Sequence, residues 1–411
     1  MAEFITPNER IILRDLAKKQ FEYSQLPQMQ ELTRLWYDHN DLKGKRPMFT
    51  IEPGTFEKEI PREYKCISDT AREIEKTFIQ TFTNYEYIGD DTIIPPLYPM
   101  GIGNWFKPFN IGVETEHALN SIGHQFKHKI NDLEKDFTVI KKSTYGSYGI
   151  EQAEQYKMLL EDIFGDILPV KYVGDGLYCV PTQNIVHIMS METMLFSMYD
   201  YPDLFHELMK RLTDDYVEYF KLLENKKLLL PTNSYGRVMQ GTYGFTNDLP
   251  AEGDIGTKDV WGFLDSQETV GISPEMFNEF IFPYYKKISD MFGLLSYGCC
   301  EAVDPIYNLC LKKCKNLRKV SISPWCNEEY MGECLKNSHT IFHRKPSPNY
   351  LGVGTLFDET GWRGHIRKTL KAASGCKVEI TQRDVYTLNG DLLKLKRAAQ
   401  IIREEIQNNW T

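Results

Sequence analysis

Two thiols and a carboxylate stand side by side at Cys299-Cys300-Glu301, directly after the apolar run Gly293-Leu294-Leu295-Ser296-Tyr297-Gly298. Such a run reads as a buried strand, and in α/β proteins ligands sit at the carboxyl ends of strands. A Cys-Cys-Glu cluster there can bind a soft or borderline metal, supply a nucleophile, or simply be packed, since free cysteine is among the most buried residue types. Other strand-like runs end in the same polar fashion. Asp265-Ser266-Gln267-Glu268 follows one, Ser321-Ile322-Ser323-Pro324-Trp325 closes another, and then come Arg344-Lys345-Pro346 and Thr381-Gln382-Arg383-Asp384, with Asp175 after an earlier run. Each has a structural alternative: Asp265 can cap a helix, Arg344 or Arg383 can pair with Glu379, and Trp325 can be core. Polar groups in succession at one rim must nevertheless be satisfied by something. The pattern therefore points to a site.

Other metal-type spacings carry less. His124 and His128 are four apart, as two imidazoles sharing a metal on one helix face would be, but no Glu follows His124 in the zincin arrangement. Cys310 and Cys314 sit at helical spacing with Lys312 and Lys313 between them, which reads as half-buried helix. No Cys-x-x-Cys occurs, so a structural zinc ribbon is excluded. His339 and His343 share a strand face.

The elements that must position these residues begin with a capping box, Thr6-Pro7-Asn8-Glu9, which predicts an amphipathic helix carrying Ile12, Leu13, Leu16 and Ala17. A second helix is predicted over about 28–40. Strand-like runs follow at 46–51, 91–97, 168–173, 260–265, 293–298, 317–323, 339–343 and 377–381, most of them separated by helical patterns. The clearest helix spans about 274–292, with Ser273 as N-cap and Pro274 at its first position. Alternating strands and helices in this number predict an α/β fold, a (β/α)8 TIM barrel with an N-terminal helical extension and long insertions. A large doubly wound sheet has the same periodicity. The expected division is an extension over 1–45 and the barrel over 46–411. Its insertions, at about 99–165 and 231–258, are long enough to be lids or binding loops.

Composition bounds the function. The 411 residues are 42% hydrophobic and 26% charged, as in a soluble globular protein, and the net charge of −9 does not suggest a nucleic acid or an anionic membrane as partner. No run of about 18 apolar residues exists and the start has no signal-peptide core, so a cytoplasmic protein is expected. Nine cysteines, an odd number at irregular spacing, fit a reducing compartment better than a disulfide framework.

These strand ends resemble the uroporphyrinogen decarboxylase superfamily. Ser273-Pro274-Glu275-Met276-Phe277 through Phe282-Pro283-Tyr284-Tyr285-Lys286-Lys287-Ile288 is similar to that superfamily's helix after a strand ending in Asp-Ser, here Asp265-Ser266. Tyr297 to Glu301, Arg318 to Trp325 and Lys345-Pro346-Ser347-Pro348 resemble a branch found in anaerobic bacteria, related to corrinoid-dependent methyltransferases. The likeness covers nearly the whole chain. It implies two chemistries. Porphyrinogen decarboxylases need arginines just after the first strand, whereas here Glu52-Pro53-Gly54-Thr55 follows it and the first arginine is Arg62. Corrinoid methyltransferases hold zinc with His-x-Cys after the fifth strand and a Cys after the eighth. Cys299 matches the first cysteine, Tyr297 stands at the histidine position, and Gln382-Arg383-Asp384 has no cysteine.

The resemblance thus implies transfer of a methyl group from a small methoxylated or methylated compound to the cobalt of a separate corrinoid protein. Any zinc would be held by Cys299, Cys300 and Glu301. Glu301 or Asp384 would protonate the leaving oxygen, and Tyr297, Gln267, Trp325, Arg344, Lys345, Gln382 and Arg383 would line the substrate. The alternative is a metal-independent decarboxylase or lyase acting on a small carboxylated substrate, with Asp265 as the acid. Partners expected are the methyl donor and the corrinoid protein, with a homodimer as the assembly considered; neither nucleic acid nor membrane is expected.

Overall fold

Met48-Phe49-Thr50-Ile51 forms β1, and its alternation sets the plan of the molecule: Phe49 and Ile51 join the apolar layer, while the Thr50 hydroxyl faces Thr381 at 3.3 Å. The computed structural model describes residues 5–117 and 124–410. The other strands of the parallel sheets are β2 (Tyr98–Met100), β3 (Val170–Tyr172), β4 (Leu177–Cys179), β5 (Trp261–Leu264), β6 (Leu294–Tyr297), β7 (Leu317–Ile322), β8 (Ile341–Arg344) and β9 (Val378–Gln382). Seven of them form one sheet in the order β1-β9-β8-β7-β6-β5-β4, and β2 pairs with β3. Every pairing in these two sheets is parallel, so all carboxyl ends of the seven-stranded sheet share one edge.

The fold is therefore α/β around a large parallel sheet. The continuous cylinder expected from the sequence is not closed by strand ladders among the described residues: β1 and β4 are the sheet's two ends. The reason lies in what takes the place of a neighbouring strand. The Asp91 side chain accepts the Phe49 N–H at 3.0 Å and that of Asp90 accepts the Ile51 N–H at 2.7 Å. On the other side, the chain after β3 donates to a loop, Gly174 N–H to the Pro231 carbonyl at 3.2 Å and Gly176 N–H to that of Arg237 at 2.9 Å. That loop is the expected insertion at 231–258. In the other insertion, Asn104–Lys107 pairs with Thr144–Ser147 and Thr115–His117 with His124–Phe126, both antiparallel. His124 is thus on a strand and not on a helix face; its side chain lies outside the described residues.

One face of the sheet is unusually polar. Lys319 of β7 and Glu379 of β9 are completely buried there and pair at 2.7 Å, with His39 Nε2 3.4 Å from Glu379. His39 belongs to the second N-terminal helix, Pro27–Asn40, whose Asn40 amide donates to the Tyr243 carbonyl at 3.0 Å. The helix before it, Pro7–Ser24, carries the expected capping box, with Thr6 N–H donating to Glu9 at 2.9 Å. The helix after β5 departs from regularity: Pro274–Met276 and Phe282–Ser289 flank a π turn over Phe277–Ile281. Pro283 has no N–H to give to the preceding turn, and the backbone widens there to keep its other bonds.

Candidate active site

The turn after β6 is made by Gly298, which has φ +98° and whose added Cβ would meet the Ser321 side chain at 3.0 Å. It sets Cys299 and Cys300 side by side, their sulfurs 3.5 Å apart. Both backbone groups of Cys299 are pinned: its N–H donates to Glu301 at 2.8 Å, and its carbonyl accepts the Ser321 hydroxyl at 2.9 Å. The other Glu301 oxygen accepts the Ser266 N–H at 2.9 Å. Glu301 therefore ties the turns after β5 and β6 together from a buried position.

Asp265, at the end of β5, is 2% exposed and its Oδ1 has no hydrogen-bond partner. Burial, then the neighbouring Glu301 and Glu268, push its carboxyl well above the ordinary range. Its backbone carbonyl accepts the Tyr285 hydroxyl at 2.7 Å, and the next residue's hydroxyl meets that of Tyr297 at 2.6 Å. The two thiols separate in character. The hydrogen bond between them, with burial second, raises Cys299, while the same bond lowers Cys300. Cys300 is exposed and its sulfur lies 4.0 Å from Asp384 Oδ2.

Asp384 adopts φ +57°, a left-handed conformation that Asp tolerates better than most residues. Arg383 Nε lies 3.3 Å from both Asp384 Oδ2 and Glu52 Oε2. Burial works against the Arg383 charge, but Glu52 and then Asp384 outweigh it and raise its pKa. Lys345, after β8, donates to the Gln240 carbonyl at 2.8 Å and lies 3.1 Å from His343 Nε2. Its burial, helped by the Arg383 charge, lowers its pKa to about 7. Beside this rim a cavity of about 590 Å³ is lined by Glu52, Thr55, Arg62, Gln240, Arg383 and Asp384, among others.

The structure thus gathers Asp265, Cys299, Cys300, Glu301, Lys345, Arg383 and Asp384 at the carboxyl edge of one sheet. Gln267 is half-buried in the turn after Asp265, and Tyr297 is buried beneath it. Three expected substrate contacts are placed elsewhere. Trp325 is 78% exposed. Arg344 alternates to the opposite face from His343 and Lys345, where it donates to the Ser323 carbonyl at 2.6 Å and pairs with Glu328 at 3.3 Å. Gln382 is fully buried and its amide donates to the Arg383 carbonyl at 3.3 Å.

Glu52 and Arg62, both on the cavity wall, were missed. Glu52 follows β1 as directly as the other polar ends follow their strands, so the same rule reaches it. Arg62 was set aside by its distance from β1, yet the chain folds back to put it on the cavity wall.

The metal set expected at Cys299, Cys300 and Glu301 is not seen as a cluster of converging ligands among the described residues. Both carboxylate oxygens of Glu301 are taken by backbone N–H groups. Among the described residues no group of three or more His, Cys, Asp or Glu is arranged to hold a metal. No helix of the described residues is long and apolar enough to cross a membrane.

What the fold and site define together is an α/β protein with a polar, acid- and thiol-bearing site at the carboxyl edge of its main parallel sheet. No family model matches the chain, and no curated protein matches it. Among solved structures it is similar to a methyltransferase from Methanosarcina mazei, at 12% identity and TM-score 0.49, over 91% of this chain and 98% of that one.

Proposed function

We propose that the chain is an enzyme of methyl transfer, moving a methyl group from a small methoxylated or methylated compound to the cobalt of a separate corrinoid protein. The observation that supports this reading best is the buried Asp265 carboxyl, with an oxygen that has no hydrogen-bond partner, on the same rim as the thiol pair, Arg383 and Asp384. The resemblance of Tyr297–Glu301, Arg318–Trp325 and Lys345–Pro348 to the corrinoid-related branch adds to it, and with it the reading of the sheet, the β2–β3 pair and the inserted loop as one (β/α)8 barrel. Asp265 supplies the proton: as the methyl carbon leaves the donor's oxygen for the cobalt, the Asp265 proton passes to that oxygen, which departs as a neutral hydroxyl. Arg383 and Asp384 orient the donor at the cavity mouth, and Glu301 holds the two turns in register.

The test is anaerobic mixing of the protein with a corrinoid protein in its cob(I) state and a panel of methoxylated and methylated compounds, followed by the absorbance change to methyl-cob(III). Asp265→Asn should slow that change by about 100-fold or more while donor binding is retained. A donor-dependent rate unchanged in Asp265→Asn removes the proposed acid.

A second reading, decarboxylation or lysis of a carboxylated substrate, is favoured by the cavity itself. Arg62 Nε and Arg383 Nη1 are buried there without hydrogen-bond partners. Release of CO₂ from a carboxylated compound, abolished by Arg383→Gln and independent of any corrinoid, would decide for it.

A further inference from the structure

The nine cysteines are all free, and most are buried singly in the core. Cys299 and Cys300 are different: adjacent in sequence, 3.5 Å apart at sulfur, one buried and one exposed to the mouth. We propose that they are a redox-active vicinal dithiol, closed to a disulfide by a hydroperoxide and reopened by a dithiol reductant. The assignment goes beyond methyl transfer and does not depend on it.

The geometry divides the roles. Cys300 is the thiol a small oxidant reaches first. Cys299 is buried behind it, its backbone held by Glu301 and Ser321 and its sulfur 3.5 Å away. Its sulfur is therefore kept beside its neighbour as the resolving thiol. In the first step the Cys300 sulfur attacks the hydroperoxide, the O–O bond breaks, an alcohol or water leaves with the proton, and Cys300 becomes a sulfenic acid. In the second, the Cys299 sulfur attacks the Cys300 sulfur. The S–S bond forms, the S–O bond breaks, and the hydroxyl leaves as water with the Cys299 proton. Two thiols and one hydroperoxide thus give one disulfide, one alcohol or water, and one water. Closing the pair withdraws both thiols from the mouth and draws Cys300 from its place beside Asp384, so the oxidised protein presents a different rim.

The test uses the full chain, reduced and desalted under nitrogen, exposed to hydrogen peroxide and then alkylated with iodoacetamide after denaturation. The peptide carrying Cys299 and Cys300 should lose about 2 Da and resist alkylation at both, with the protein still a single chain on a non-reducing gel; dithiothreitol should restore both thiols. In Cys299→Ser, Cys300 should instead accumulate as a dimedone-reactive sulfenic acid. In Cys300→Ser, peroxide consumption should fall by about tenfold or more, since the reachable thiol is gone. A disulfide linking two chains, or Cys300 driven to sulfinic acid while Cys299 remains alkylatable, would overturn the assignment. So would failure of either thiol to react. Circular dichroism of both variants separates a lost thiol from a lost fold.

Discussion

Asp265 and Lys345 follow β5 and β8 on the same rim, and burial drives both toward their neutral forms, with opposite consequences for stability. For Asp265, the folded carboxyl titrates well above the 3.8 of an exposed one. The native state then binds the extra proton as pH rises from 3.8, and stability falls with pH through that window. Asp265→Asn has no such titration, so urea midpoints between pH 5 and pH 8 should decline in the wild type and decline less in the variant. For Lys345 the folded value is about 7 against 10.5 for a free amine. The unfolded chain binds more protons between those values, and stability rises with pH across them. Lys345→Met should flatten that rise, and midpoints at pH 7 and pH 9 measure it. Much of this rim was legible in the sequence, because a strand end is marked by the residue that follows an apolar run. The role of each member was not. Glu301 looks like a ligand beside two thiols, and only the folded chain shows its oxygens spent on the N–H groups of Ser266 and Cys299.

At the scale of elements, short range decides what the sequence reveals. The runs that became β5 to β9 stand out because each is apolar and bounded by polar residues. The run expected at 91–97 is displaced to Tyr98–Met100, since Pro95 and Pro96 have no N–H to give a ladder and Asp90 and Asp91 serve β1 with their side chains instead. β4 hides behind Gly174-Asp175-Gly176, which reads as a turn. The 231–258 loop was visible as a long insertion, but not its destination. Met239, Gln240 and Gly241 take φ of +67°, +53° and +78°, a left-handed run that lays the loop against Lys345 and Thr50. Gly241 is the position that permits it, because an added Cβ would stand 2.6 Å from the Thr381 methyl and 3.0 Å from Glu52. Gly241→Ala should cost about 1–3 kcal/mol through the strained backbone and the contact together. The same change should weaken donor binding, because Glu52 pairs with Arg383. Urea unfolding and a donor titration of the same sample check the two effects.

The whole molecule is held at its far end by charge placed where none is exposed. The N-terminal helix Pro27–Asn40 brings Trp36 and His39 against the polar face of the sheet, where the Trp36 indole donates to the Asp91 carbonyl at 2.8 Å. Beneath the site, Lys319, Glu379, His39 and His343 form one buried cluster spanning β7, β8, β9 and that helix. A buried pair of this kind adds little net stability over apolar residues of equal volume, but losing one partner strands the other. Lys319→Met leaves the Glu379 charge facing His39 and His343, both of which burial holds neutral-leaning, and should cost about 3–5 kcal/mol. Removing both charges, in Lys319→Met with Glu379→Gln, should recover a large part of that loss. Equilibrium unfolding of the two single variants and the double one closes the cycle. If the double variant is as unstable as the sum of the singles, the pair is not what ties the N-terminal helix to the sheet, and the apolar contacts of Trp36 must carry that junction alone.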